Sequence, residues 1–595
     1  MVVVARSFQL RSRAKGLAVV GPDDRTQPPI GGWSWLTAHG VRIDRDLGEA
    51  VTAHAEAEGV DVLDVVPSDL ATEDALELLR AYDPATYRTD RLARGVSARR
   101  AIAVRTATLD RAGLDPATDA GPIALDLAAV ELKRHCNSSM GVAVGPALGT
   151  PDTSASQRME LLRSRFGAAT PLLVAVPVLG YGFLVVGVLS APVFGVCALV
   201  AWCAQPVLSL AGTALRPADL WRRSSLRWLL GPIGLVRSVL GPRHPASDPR
   251  SAEGDARRAE YARELSEGTA RFFEPRASEC PLCGSQDLAP RLSTTDMVLH
   301  KPGRFHLDRC RACGHVFQNP RLSLDGLDFY YRDAYDGLNA ERGEAMFKVT
   351  QAAYHARADM LDPEARPRRW LDIGTGYGHF PLVAQDHWPD TTFDGLDISD
   401  SVDVAARRRW VAEGFRGLLL DRAPDLAGRY DVVSMFHYLE HTRQPVAELD
   451  VVASLLTPGG HLLVELPDPT SPYARIAGRY WFPWLQPQHL HFLSRDRVCS
   501  LLSERGFEIV SSGPVEAFPG QELAGACWLV INRFAPETGL PWLPPTTARD
   551  TLRRVGALAI GAPVLVAAAL LDQVLSASDR RLRGSSAFRV VARRP

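Results

Sequence analysis

The stretch Trp370-Leu-Asp372-Ile-Gly374-Thr-Gly376-Tyr-Gly378-His-Phe380 decides the fold. A short apolar run closes on an acid, three glycines follow at alternate positions, and an apolar segment resumes. This is the pattern of a buried parallel strand turning through a tight loop into a helix. Glycine tolerates positive φ and lacks a Cβ, so a nucleotide-like ligand can lie against such a loop while the helix start offers free N–H groups. The dinucleotide fingerprint would put its third glycine at position 379, which is His379 here; the third glycine comes one residue earlier.

On the C-terminal side, a helix over about 380–387 leads to Thr392-Phe-Asp-Gly-Leu-Asp397, a second strand. Its terminal acid, 25 residues beyond Asp372, stands where a carboxylate accepts from two vicinal hydroxyls. The run Leu418-Leu-Leu420 ends on a third acid, Asp421, and Tyr430-Asp-Val-Val-Ser434 gives a further strand. Strands and helices in alternation, with acids at strand ends, predict a doubly wound α/β sheet. Phe507–Val510 and Cys527–Asn532 are expected as its last two strands, closing the fold near residue 540.

Asp372–Gly378, Gly395-Leu-Asp397, Tyr430-Asp-Val-Val, His437-Tyr-Leu-Glu-His441 and Leu456-Thr-Pro-Gly-Gly-His-Leu-Leu-Val-Glu465 occur in that order. Together they resemble the class I S-adenosylmethionine-dependent methyltransferases, and more narrowly the quinone O-methyltransferase branch with an LEH motif. The resemblance covers about 280–535 and extends to members with an N-terminal zinc ribbon. It implies a Rossmann-like sheet and S-adenosyl-L-methionine as cofactor. Gly374, Gly376 and Gly378 would surround the cofactor's amino-acid end, Asp372 would support the loop, Asp397 would bind the ribose, and Leu420 with Asp421 would lie near the adenine. The aromatic run Phe329-Tyr-Tyr331 with Tyr335 would cap the cofactor or simply pack between helices.

Methyl transfer needs a positioned acceptor and a base for its proton. His437 and His441, spaced i, i+4, share a face with Glu440 beside them if a helix has begun there. His489 and His491 follow in the substrate-side insertion. The catalytic candidates are His441 and His489, then His437, with Glu440; the spacing of His437, Glu440 and His441 also permits a metal. Trp481-Phe-Pro-Trp484, with Tyr473 and Tyr480, would line an apolar acceptor pocket or form a buried lid.

Upstream, Cys280-Pro-Leu-Cys283 and Cys310-Arg-Ala-Cys313 are two CxxC knuckles separated by 26 residues, each followed by glycine. Four cysteines leave no open coordination position, so the expectation is a structural Zn2+ ribbon over 279–325. Between Arg165 and Arg216 lie 50 residues without a charge, enough for two crossings near 168–189 and 192–214. Arginines flank both ends, so the positive-inside rule puts them, and the catalytic domain, in the cytoplasm. The apolar tail 555–571 is flanked by arginines and reads as an interfacial helix more readily than a span.

The domain reading is thus 1–165, an α/β or helical unit of no evident role; 166–240, a transmembrane hairpin with an interfacial segment; 241–278, a linker with a short helix; 279–325, the ribbon; 326–540, the methyltransferase; and 541–595, a membrane-associated helix and tail. The function expected is a multi-pass, membrane-tethered O-methyltransferase whose partners are the lipid bilayer and a small-molecule, lipid-linked or sugar-containing acceptor. A net charge of −1 and a pI near 7.0 give no drive toward nucleic acid, which argues against the alternative of RNA methylation. The other alternative is a scaffold that binds the cofactor without turnover.

Overall fold

The computed structural model describes residues 2–20, 32–90, 93–136, 139–148, 190–226, 249–332, 347, 350–515, 521–537, 540–544, 547–577 and 586–595. They form two compact units, Met1–Ala246 and Ser247–Pro595.

The first unit is a mixed six-stranded sheet of β1 (Ala18–Val19), β2 (Trp33–Ala38), β3 (Val62–Pro67), β4 (Ala101–Arg105), β5 (Ala117–Ala120) and β6 (Met140–Gly145), in the order β1-β6-β3-β4-β2-β5. The unit's helix Thr72–Ala81 is amphipathic and buries Ala75, Leu76, Leu78 and Leu79. The helix Pro192–Leu210 coincides with the second expected crossing. Its first half exposes Val193, Phe194 and Val200, whereas Ser209 and Leu210 are fully buried and Arg11 donates to the Leu208 carbonyl. Its second half is therefore core of this unit. The first expected crossing, 168–189, and the interfacial segment after residue 226 lie outside the described residues.

In the second unit the linker carries the helix Pro249–Ser266, and the ribbon contributes β7 (Leu288–Thr294), β8 (Phe305–Cys310) and β9 (Val316–Gln318). The main sheet comprises β10 (Arg369–Ile373), β11 (Thr392–Asp397), β12 (Gly414–Arg416), β13 (Tyr430–Phe436), β14 (Leu456–Pro467), β16 (Glu508–Val515) and β17 (Ala587–Arg593). Its order is β12-β11-β10-β13-β14-β17-β16; the first five strands run parallel, and β17 is antiparallel to both neighbours. The doubly wound expectation holds, with helices such as His379–His387 and Pro445–Leu455 as crossovers. The two-residue strand β15 (His491–Phe492) leaves this sheet and pairs with β9, so the ribbon's own sheet is completed by the chain that follows β14.

Three expectations are corrected. Cys527–Asn532 is not a strand but part of the helix Glu522–Phe534. The seventh strand is β17, at the far end of the tail, so the domain does not close at 540: Phe588, Val590 and Ala592 lie in the same core as Leu462, Val464 and Leu502. Each such buried side chain larger than alanine is worth about 1.5–3 kcal/mol, which makes the tail integral to the fold. Finally, Leu418–Asp421 does not end a strand. The strand stops at Arg416, and Leu420 and Asp421 sit in the first turn of the helix Leu419–Leu426, with Asp421 exposed.

Candidate active site

Strand β10 delivers the glycine loop as the sequence predicts. Gly374, Gly376 and Gly378 all have positive φ, at 77°, 53° and 78°. The loop is tied to the neighbouring strand by the Gly374 N–H, which donates to the Leu396 carbonyl at 2.8 Å. A Cβ on Gly374 would fall 2.7 Å from Tyr438 Cδ2 and one on Gly378 2.9 Å from Ala405 Cβ, whereas Gly376 has open space around that position. The loop thus keeps one bare backbone edge at Gly376, of the kind a bound ligand approaches.

Asp372 is buried and accepts from Ser434 Oγ at 2.6 Å; burial pushes its carboxyl up to about 7. It braces β10 against β13 at the root of the loop. Asp397 is partly exposed at the end of β11. Its Oδ2 accepts from the Gly376 N–H at 2.8 Å, and its Oδ1 from the N–H and Oγ of Ser399, both at 2.9 Å. The acid assigned to ribose therefore adjoins the glycine loop. Leu420 and Asp421, on their helix, have no such tie to it in the contacts observed.

After β13 the chain does not enter a helix at His437, contrary to the spacing argument; the next helix begins at Pro445. His437 has φ 51°, a strained conformation for a non-glycine residue, and its ring is turned inward between two acids. Nδ1 lies 3.0 Å from Glu440 Oε1 and Nε2 3.0 Å from Glu465 Oε1. Glu465, fully buried, also pairs with Arg357 at 2.5 Å and Arg589 at 2.6 Å, and these cations hold it well below the usual carboxylate range. The two acids outweigh burial and push His437 up to about 9, so it is an imidazolium at neutral pH and a poor proton acceptor.

His441 and His489 behave differently. Their rings meet edge to face with centroids 4.5 Å apart, and burial lowers both, His489 to about 3. His489 Nδ1 is 2.7 Å from the Pro483 carbonyl, and His441 Nδ1 is 3.1 Å from that of Gln488 and 3.0 Å from Tyr331 Oη. A carbonyl accepts only, so each Nδ1 carries the proton and each Nε2 a lone pair. Glu440 is 2 % exposed, and its Oε2 has no hydrogen-bond partner among the described residues. Donor atoms of Glu440, His441 and His489 lie within 4.8 Å of one another. Two neutral imidazoles and a carboxylate with donor atoms this close offer proton acceptors and would also hold a metal ion. His437, which the spacing placed in such a set, is instead an ion-paired brace.

Sequence reasoning missed Arg357, Arg589, Tyr331 as a histidine partner, and the brace role of Glu465. Of the aromatic run, Phe329 and Tyr330 pack in a core with Tyr261 and Phe272; Tyr335 lies outside the described residues. Trp481 and Trp484 are buried in a core with Leu307, Val316 and Phe492.

The four ribbon cysteines assemble. Cys280 Sγ is 3.7 Å from Cys313 Sγ and Cys283 Sγ 3.6 Å from Cys310 Sγ, and all four sulfurs lie within 4.8 Å of one another. Thiolates at ~2.3 Å from a tetrahedral zinc would stand ~3.8 Å apart, so the set fits that ion. Behind it, His315 Nδ1 is 3.6 Å from Cys280 Sγ, and its Nε2 is 3.2 Å from Nδ1 of His491. The N–H groups of Leu490 and His491 both donate to the Glu440 carbonyl, so the ribbon and the histidine site share β15.

Residues 344–512 match the family model described as a methyltransferase domain. Over those residues the chain carries a methyltransferase domain. The chain is 33% identical over 159 residues to a ubiquinone biosynthesis O-methyltransferase of Marinobacter nauticus, covering 24% of this chain and 64% of the relative. It is 26% identical over 205 residues to the Bordetella avium protein of the same description, covering 32% of this chain and 83% of that one. It is 27% identical over 139 residues to a demethylmenaquinone methyltransferase of Thermus thermophilus, covering 22% and 63% respectively. The chain thus spans somewhat under two thirds of the first of these relatives, and the first unit lies wholly outside the matched domain.

Proposed function

We propose that this chain is a membrane-tethered methyltransferase that methylates an oxygen of an apolar, lipid-linked or sugar-containing acceptor at the cytoplasmic face. The observation that carries this reading is the convergence of Glu440, His441 and His489, the first two of which follow β13, the strand paired with β10. S-adenosyl-L-methionine, when bound, supplies an activated methyl group. The chain's own task is then to orient an acceptor hydroxyl and take its proton.

In this reading Gly374–Gly378 and Asp397 hold the cofactor, and His441 or His489 accepts the proton at Nε2. His437, Glu465, Arg357 and Arg589 fix the position of Glu440. Similarity to quinone methyltransferases favours a phenolic or quinol-like acceptor. The uncharged stretch 166–189, long enough for one crossing, and the exposed first half of the helix Pro192–Leu210 support tethering. Zn2+ on Cys280, Cys283, Cys310 and Cys313 would be structural, holding β15 and thereby His489. Incubating the protein with methyl-labelled S-adenosylmethionine, a membrane lipid extract and an aqueous metabolite pool tests the reading: label should enter the lipid phase, and uptake confined to the aqueous pool would overturn it.

A further inference from the structure

Residues 516–586 are an insertion between β16 and β17. Val515 and Ala587 face each other in the antiparallel ladder, so the insertion leaves and re-enters the sheet at one point. Its helices, Glu522–Phe534 and Ala548–Ala577, are packed together so closely that a Cβ on Gly561 would fall 2.4 Å from Ile531 Cδ1. Asp572 accepts from the N–H groups of Leu523 and Ala524 at 3.0 and 2.9 Å, capping the shorter helix. Arg554 donates to Asn532 Oδ1 at 2.9 Å, and Asn532 donates in turn to the Met297 and Val298 carbonyls. The long helix is thereby fastened to one body near both of its ends.

Arg554, Gly561 and Asp572 share one helical face. The opposite face is apolar and bare: Leu552, Ile560, Val564, Val566, Leu570 and Val574 are each more than half exposed. Over Leu552–Leu575 the mean hydropathy is 2.1 and 11 % of the stretch is buried. Polar groups inward and apolar groups outward invert the pattern of a helix solvated by water.

We propose that this insertion is a monotopic bilayer anchor, in which Ala548–Ala577 lies along the membrane surface with its bare face among the acyl chains and does not cross. Its length would suffice for a span, since 30 residues at ~1.5 Å each exceed a ~30 Å hydrocarbon core. A crossing helix, however, must release one end to the far side, and both ends here are held to the same sheet-bearing unit. Arg549 and Arg553, both exposed at the start of the helix, complement anionic headgroups, which favours a lipid surface over a second copy of the chain. The shorter helix also rests on the substrate-side segment: Trp528 and Phe482 have ring centroids 6.3 Å apart, next to Pro483, whose carbonyl holds His489. Docking thus sets the histidine site beside the lipid. The anchor stands independently of the acceptor's identity.

The test uses the full chain in vesicles of phosphatidylethanolamine and phosphatidylglycerol, with a photoreactive diazirine amino acid at 560, 566 or 570 and, as reference, at the exposed Glu504. Lipid adducts should exceed the reference about tenfold at the three positions. In sealed vesicles, Arg549→Cys and Arg593→Cys should react with an impermeant maleimide from the same side. Adducts to a second protein chain, adducts no more frequent than at 504, or reaction of the two cysteines from opposite sides would each overturn the anchor. S-adenosylmethionine affinity, measured by calorimetry on the same variants, should stay unchanged, which separates failure of the anchor from failure of the methyltransferase reading.

Discussion

Asp397 Oδ2 accepts a hydrogen bond from the backbone N–H of Gly376 at 2.8 Å, joining the end of β11 to the most open point of the glycine loop. The two groups expected to meet opposite parts of one cofactor thus hold each other at the site's mouth. Asp397→Ala removes the proposed acceptor of two ribose hydroxyls and the tie to the loop. A charge-assisted hydrogen bond is worth about 1.5–3 kcal/mol, so S-adenosylmethionine affinity should fall by about tenfold to a hundredfold or more in calorimetry. Affinity within twofold of wild type would remove the assignment.

The glycines should separate by sterics. Gly374→Ala meets both a left-handed backbone and the Tyr438 ring, whereas Gly376→Ala meets only the backbone cost of about 1–2 kcal/mol. Thermal unfolding should drop distinctly further for Gly374→Ala. Gly376→Ala should remain folded yet lose cofactor affinity, because its methyl occupies the open edge.

Asp372 gives the pH prediction. Burial raises its carboxyl from the usual range to about 7, so the neutral form is the one the fold favours. Its contribution is fully present below about pH 4 and is lost as pH rises through 7, at no more than ~1.4 kcal/mol per pH unit. Asp372→Asn keeps the neutral shape. The stability difference between wild type and this variant, from urea unfolding, should therefore shift in the variant's favour between pH 4 and 7.5, and a constant difference would contradict the raised value.

The ribbon and the histidine site should fail together. Cys280→Ser or Cys313→Ser should abolish the one zinc per chain expected from metal analysis. It should also raise hydrogen exchange at Leu490 and His491, whose N–H groups reach Glu440. Wild-type protein without zinc would sink the ribbon, and unchanged exchange would sink its link to the site.

The tail is the prediction the sequence alone would have reversed. A chain ending at 577 loses β17, with Phe588, Val590 and the Arg589–Glu465 pair, and should fail to accumulate as soluble or membrane-integrated folded protein. If it folds and binds cofactor, β17 is dispensable.

What was legible follows from where the signal is local. Asp372–Gly378 encodes backbone geometry within a few residues, and its strand, loop and helix form as expected, while the CxxC knuckles bring their four sulfurs within 4.8 Å of one another. Cys527–Asn532 misled because a β-branched apolar run suits a buried strand and a helix equally; its helical state is set by contacts with Gly561 and Asp572, far along the chain. The apolar run Ala587–Arg593 is a fair signal for a buried strand, but its partner strand ends at Val515, and nothing in the intervening residues announces the return. His437 was misassigned because i, i+4 spacing presumes a helix, while its left-handed φ turns the ring toward Glu465, an acid on the neighbouring strand.

Methyl transfer from S-adenosylmethionine assisted by His441 and His489 is the step on which the proposed function turns. The most direct measurement is single-turnover transfer of labelled methyl into a membrane lipid extract, comparing wild type with His489→Ala and His441→Ala after cofactor affinity has been shown to be retained. Proton acceptance contributes ~10²–10⁴-fold to rate, so one of the two variants should be slowed by at least that lower figure, with S-adenosylhomocysteine formed in step with the label in wild type. Equal rates in all three proteins, or no label transferred by wild type to any fraction, would contradict the account.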